Sequence, residues 1–176
     1  MNEIIGKPVK IAITGPESTG KSDLTDQLAG HYHSLRIPEY AREYLDNLGR
    51  PYNYSDILII AREQYTRQQA AEKVAGRFLF CDTELIVTKI WCEFRYGKCH
   101  PWILDHLEKQ DFELYLLMNI DLPWQDDPQR EHPGKRKELF NLYLKELQDR
   151  NLPFHIISGT GEKRLHHAIS IIEKHV

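Results

Sequence analysis

Gly15, Pro16, Glu17, Ser18, Thr19, Gly20, Lys21 and Ser22 match the pattern G-x-x-x-x-G-K-[ST] without substitution. Their setting constrains the fold further. Val9 to Thr14, the run Val-Lys-Ile-Ala-Ile-Thr, is β-branched and apolar and predicts a strand that stops at Gly15. After Lys21 the residues Leu24, Leu28 and Tyr32 recur every four positions and predict a helix with one apolar stripe. A glycine loop between a buried strand and a helix is the context in which this motif cradles phosphates. Gly15 and Gly20 let the backbone curl so that its N–H groups point inward, and the helix adds its positive end. Lys21 then reaches phosphate oxygens as a point charge, and the Ser22 hydroxyl is placed for Mg²⁺. The expected ligand is a nucleoside triphosphate with its metal, ATP with Mg²⁺ in the favoured reading.

The rest of the chain fits an α/β fold in which helices wrap a largely parallel sheet. Leu35 to Ile37, Arg77 to Asp82, Phe112 to Met118 and Phe154 to Ile157 read as further strands, the later ones short apolar runs suited to burial on both faces. Helices are predicted from about Pro38 to Leu48, with proline at the first position, from Ser55 to Ala75 behind a Ser-Asp cap, and from about Lys135 to Arg150. A last one follows Thr160, with Leu165, Ala168, Ile169 and Ile172 facing inward. Residues 121–134, DLPWQDDPQREHPG, hold three prolines and no apolar periodicity, and read as a long functional loop. The length of 176 residues suits one domain spanning 1–176.

Composition removes several classes. At 41% hydrophobic and 28% charged residues the chain is neither disordered nor membrane-spanning, and the first residues lack the apolar run of a secretory leader, so a cytoplasmic address is expected. A net charge of −3 offers no field for a polyanion, so nucleic acid is not expected as a partner. Cys81, Cys92 and Cys99 lack paired metal spacing and read as reduced thiols. The histidines, including the pairs His31/His33 and His166/His167, read as surface groups.

Asp82 ends an apolar run as the Mg²⁺-linked acid of such folds does, with a helix cap as its ordinary alternative. The next residue is Thr83 rather than the glutamate that commonly activates water, which argues for a non-water acceptor; Glu84 lies close enough to keep hydrolysis open. Residues 121–134 are the natural lid, and Arg130 and Arg136 are the candidates for clamping charge on a moving phosphoryl group. Glu39, after the second strand, would share the cleft with Asp82, one carboxylate holding metal or taking a hydroxyl proton and the other clasping sugar hydroxyls. Among the aromatics Tyr40, Tyr44, Tyr65, Trp91, Tyr96 and Trp124 that could stack on a flat ring, Tyr65 and Trp124 are favoured.

In order and at matching intervals, GPESTGKS, EYAREYL from Glu39, FCDTELIVTKIW from Phe80 and LPWQDDPQR from Leu122 resemble the ribosylnicotinamide kinase domain of NadR-type proteins, over Val9 to about Ile172. Such domains are often labelled AAA-like ATPases. The resemblance implies a three-layer P-loop fold with a central, mainly parallel five-stranded sheet and a lid. It also implies transfer of the γ-phosphoryl of ATP to the 5′-hydroxyl of N-ribosylnicotinamide. Carried over by position, Gly15 to Ser22 would hold phosphate and metal, Asp82 would be the strand-end acid, Glu39 and Tyr40 the acceptor side, and Arg130 and Arg136 the lid arginines. The full-length family also carries an adenylyltransferase domain, whereas this sequence starts eight residues before its first strand, so a kinase domain standing alone is expected. Pro38 occupies a position where the family can place an aromatic platform. Kinases of other nucleosides and regulatory ATPases are the alternative readings.

Overall fold

A computed structural model describes residues 7–176; the leader-free reading of the first residues concerns positions that lie mostly outside them. Five parallel strands form one sheet in the order β2-β3-β1-β4-β5. They are β1 (Val9–Thr14), β2 (Leu35–Ile37), β3 (Phe78–Asp82), β4 (Leu114–Met118) and β5 (Phe154–Ile157). Every residue of β3 and β4 is buried, as their unbroken apolar runs predict. Alternation along the strands divides the core in two. Ile11, Ile13, Phe80 and Leu116 pack with Leu24 and Leu28 of α1 (Lys21–His31) and with Ala168 and Ile172 of α7 (Gly161–His175). Ala12, Leu79, Cys81 and Leu117 face α3 (Tyr54–Glu72), α4 (Leu85–Tyr96), α5 (Pro101–Leu107) and α6 (Arg136–Asp149). Helices therefore cover both faces, giving three layers.

Ile13 of β1 is in register with Asp82 of β3. Chain order reverses at β1, since β2 and β3 lie on one side of it and β4 and β5 on the other. That is the switch point at which open α/β sheets form a crevice beyond their carboxyl ends. Both the glycine loop and Asp82 leave the sheet there.

Several local expectations shift. Helix α2 (Tyr40–Leu48) starts after Pro38, with Glu39 as its extended N-cap residue, and the Pro38 carbonyl accepts from Gln64 Nε2 rather than starting the helix. Helix α3 is capped by Asn53, whose side chain accepts the Ser55 and Asp56 N–H groups while Asp56 answers in a capping box, so Ser55 is not the cap. The helices between β3 and β4, α4 and α5, carry no clear helical period in the sequence. Among the described residues no helix is long and apolar enough to cross a membrane. Cys81 and Cys92 are buried and all three cysteines are free thiols.

Candidate active site

The glycine loop closes over the start of α1 through left-handed backbone at Ser18 and Gly20, with φ of 56° and 76°, and through Gly15 at φ 132°. A Cβ at Gly15 would lie 3.2 Å from both the backbone N and O of Met118, so this turn has room only for glycine. Thr19 Oγ1 donates to Pro16 O at 2.8 Å and pins the loop. Lys21 Nζ donates to Gly15 O at 3.0 Å and Pro16 O at 2.8 Å, holding its charge inside the loop where phosphate oxygens would compete for it.

Ser22 Oγ donates to Asp82 Oδ2 at 2.5 Å, so the loop and the end of β3 meet through the two groups expected to face a metal. Burial, and next the Glu39 carboxylate, push the Asp82 carboxyl up to about 6, against the opposing pull of Lys21 and Ser22. Gln64, buried in the middle of α3, sets the spacing of these acids. Its Oε1 accepts the Tyr40 N–H at 2.8 Å and its Nε2 donates to Pro38 O and Asp82 O, both at 3.3 Å. One amide thus clips the ends of β2 and β3 together.

Thr83 carries a positive φ of 76°, a strained conformation for a β-branched residue. The strained turn sends successive acids in opposite directions. Asp82 points toward the loop, whereas Glu84 is 0% exposed and caps α4, accepting from Ile86 N at 2.7 Å, Thr14 Oγ1 at 3.0 Å and Gln110 Nε2 at 3.0 Å. The cap role open to Asp82 therefore belongs to Glu84, and the expectation that Glu84 stands close enough to activate water is corrected. It is a buried structural group, pushed up to about 7 chiefly by desolvation.

The lid lies on the loop. Gln125 N donates to Ser18 Oγ at 2.9 Å, and the N–H groups of Glu131 and His132 point to the Glu17 carboxylate at 3.1–3.3 Å. Arg130 Nη1 donates to Gln125 O at 2.6 Å and lies 3.4 Å from Ser18 Oγ, while Arg136 Nη1 donates to Ser18 O at 3.1 Å and Leu122 O at 2.8 Å. On the α2 side Arg42 Nη1 pairs with Asp127 at 2.8 Å, and Gln129 Nε2 donates to Asp46 at 2.6 Å.

Under this lid is a cavity of about 560 Å³. Residues 15–23 of the loop and the first turn of α1 line it together with Trp91, Phe94, Leu139 and Tyr143, and Glu39 and Arg42 are also in the wall. Asp82 and Arg136 stand behind this lining, joined to it through Ser22 and Ser18. Three candidates face elsewhere. Tyr65 packs edge-on against Trp102 and His106, the Tyr40 ring lies beneath Arg67 at 4.3 Å, and Trp124 donates to Asp126 at 2.8 Å. The histidines are not uniformly surface groups, since His132 lines the cavity and His100 stacks on Tyr54 at 3.7 Å. The aromatic wall comes from α4 and α6, on different elements from Pro38.

Arg164 lies outside every motif of the chain yet reaches the loop. It is 4% exposed and donates from Nη1 to Thr19 O at 2.9 Å and from Nη2 to Asp121 Oδ1 at 2.9 Å, bracing the loop from behind. Its signal in the sequence is a cation in the first turn of α7, where the helix end is itself positive and an outside carboxylate is needed.

A family model described as an AAA domain matches residues 10–164. The Trifunctional NAD biosynthesis/regulator protein NadR of Escherichia coli is 30% identical over 152 residues, covering 82% of this chain and 37% of that protein. The chain thus spans about two fifths of the length of the curated relatives it matches. The crystal structure of NadR protein in complex with NR superposes with a TM-score of 0.78 at 21% identity, covering 96% of this chain and 50% of that one. Deoxyadenosine kinase from M. mycoides, solved with dCMP and dCDP, gives 0.69 at 11% identity, covering 94% and 99%. The resemblance to NadR-type proteins read in the sequence is thereby borne out, and the fold is that of the P-loop kinases.

Proposed function

This chain belongs to the AAA domain family, and from that premise we propose that it is a small-molecule kinase that moves the γ-phosphoryl of Mg·ATP to the 5′-hydroxyl of N-ribosylnicotinamide. The observation that carries the reading is that one cavity is lined both by the phosphate loop and by the aromatic side chains of Trp91, Phe94 and Tyr143. A pure ATPase needs only the loop.

The aromatic lining suits a flat, cationic ring on an uncharged sugar. Trp91, Phe94 and Tyr143 offer aromatic surface, and the π faces of such rings attract a pyridinium. Arg42 in the cavity wall is paired with Asp127, which leaves it less free for an acceptor phosphate and favours a nucleoside. The family likeness to NadR supports the same acceptor.

Ser22 and Asp82 present a hydroxyl and a carboxylate oxygen side by side, the hard donors Mg²⁺ takes, so they fit and would hold it; when bound, the ion neutralises triphosphate charge. Lys21 would exchange its two loop carbonyls for phosphate oxygens. Glu39, whose side is open to the cavity while Asp82 is engaged by Ser22, is assigned the acceptor hydroxyl's proton. The hydroxyl oxygen bonds to the γ-phosphorus, the bond to the β–γ bridging oxygen breaks, and ADP leaves with that electron pair. Arg130 supplies charge over the loop from the lid. Glu84, sealed in the core, takes no part.

Incubation with Mg·ATP and ribosylnicotinamide, followed by mass spectrometry of the small molecules, tests the reading. Gain of one phosphate supports it. Unmodified ribosylnicotinamide beside another phosphorylated nucleoside keeps the kinase and replaces the acceptor.

A further inference from the structure

Where the lid ends, three parts of the site meet. The backbone N–H groups of Glu131 and His132 are taken by Glu17 of the phosphate loop. The His132 ring sits edge-on to Phe94 at 4.9 Å. The Glu131 side chain reaches the other way, to Tyr52, a residue of the connection between α2 and α3 that is absent from the cavity lining. Tyr52 Oη donates to Glu131 Oε2 at 2.5 Å and accepts from Trp91 Nε1 at 3.0 Å, and the two rings meet edge-on at 5.0 Å. One hydroxyl therefore fixes the indole that walls the acceptor pocket and tethers the lid that covers the phosphate loop.

We propose that Tyr52 is a positioning residue that couples acceptor recognition to lid closure: it holds the Trp91 ring in place and ties it, through Glu131, to the lid. This rests on the kinase reading for its acceptor arm. The chemistry favours a single direction of donation. Trp91 has only an N–H to offer and Glu131 only acceptor oxygens, so the phenol must donate to one and accept from the other. Burial and the Glu131 carboxylate both hold the phenol well above the usual tyrosine range, which keeps that proton in place. An acceptor pressed against Trp91 then stiffens the same side chain that the lid needs for its anchor, whereas ATP, held by the loop, does not touch Tyr52.

Tyr52→Phe keeps the ring and deletes both hydrogen bonds. Hydrogen–deuterium exchange of the intact chain, without ligand, should be at least about threefold faster across residues 127–136 in Y52F and equally faster in E131A, which removes the acceptor oxygen. The double variant should be no faster than either, since both remove the same link. In steady-state kinetics the acceptor KM should rise about tenfold, as expected for two lost hydrogen bonds, with the ATP KM within about twofold. A role confined to packing would lower thermal stability and shift both substrates alike, which overturns the proposal. Unchanged lid exchange in Y52F also overturns it, as does faster exchange with an unmoved acceptor KM. If the native chain phosphorylates none of the nucleosides offered, the kinase reading fails, and the exchange measurement with its double variant still decides whether Tyr52 anchors the lid.

Discussion

Glu84→Gln separates a structural acid from a catalytic one. Glu84 is 0% exposed and its carboxyl is pushed from an ordinary 4.5 up to about 7, with burial the largest cause. A carboxyl raised in the folded state stabilises the fold only while it is protonated. Its contribution is complete below pH 4.5 and is lost as pH rises through about 7. The shift of about 2.5 units corresponds to on the order of 3 kcal/mol lost between those limits, at about 1.4 kcal/mol per unit. Glutamine keeps the shape. Its carbonyl can take the Ile86 N–H and the Gln110 amide, and its amide can donate to Thr14 Oγ1 once that hydroxyl turns. It does not ionise. Urea unfolding of both proteins, followed by far-UV circular dichroism at pH 5 and pH 8, should show the native chain and E84Q nearly level at the lower pH. At pH 8 the variant should be the more stable by on the order of 3 kcal/mol. Asp82 titrates in the same window but is common to both and cancels in the difference. ADP release without acceptor should be unchanged. A stability difference independent of pH, or a fall in ADP release in E84Q, refutes the reasoning.

Other changes probe the site directly. Asp82→Asn should leave nucleotide binding by fluorescence titration largely intact but lower kcat by at least about a hundredfold, because Ser22 loses its carboxylate partner and the metal side loses its charge. Arg130→Ala should lower kcat well beyond any rise in the ATP KM, since its guanidinium sits on the lid over Ser18 and meets the phosphoryl group only on closure; equal changes in both would make it a ground-state contact. Gly15→Ala combines φ 132° with a Cβ 3.2 Å from the Met118 backbone, and should cost about 2–3 kcal/mol in urea unfolding while abolishing nucleotide binding.

Legibility followed how local each feature is. Strands β3 and β4 stand out because burial on both faces demands unbroken apolar runs such as Phe78–Cys81 and Leu114–Met118. The phosphate loop is contiguous and was legible residue by residue. Helix α4 is harder, because Leu85, Ile86, Thr88, Ile90 and Cys92 are all buried and leave too broad an apolar face for a clear helical period. The aromatic wall of the cavity combines Trp91 and Phe94 of α4 with Tyr143 of α6, which no short motif connects. For the same reason Tyr65 reads as a stacking candidate along the chain although it packs on Trp102. The opposite orientations of Asp82 and Glu84 depend on the positive φ of Thr83, a conformation that threonine does not advertise. Gln64 and Arg164 act through backbone carbonyls of distant segments, so their roles emerge only in three dimensions.

The central claim is that the phosphoryl group passes to a nucleoside in the aromatic pocket rather than to water. The most direct test measures ADP and phosphorylated acceptor together, with Mg·ATP and ribosylnicotinamide, other nucleosides, or no acceptor. Phosphoryl transfer requires ADP release that rises with ribosylnicotinamide and matches the product mole for mole. Steady ADP release that no acceptor alters, with phosphate freed into solution, contradicts it.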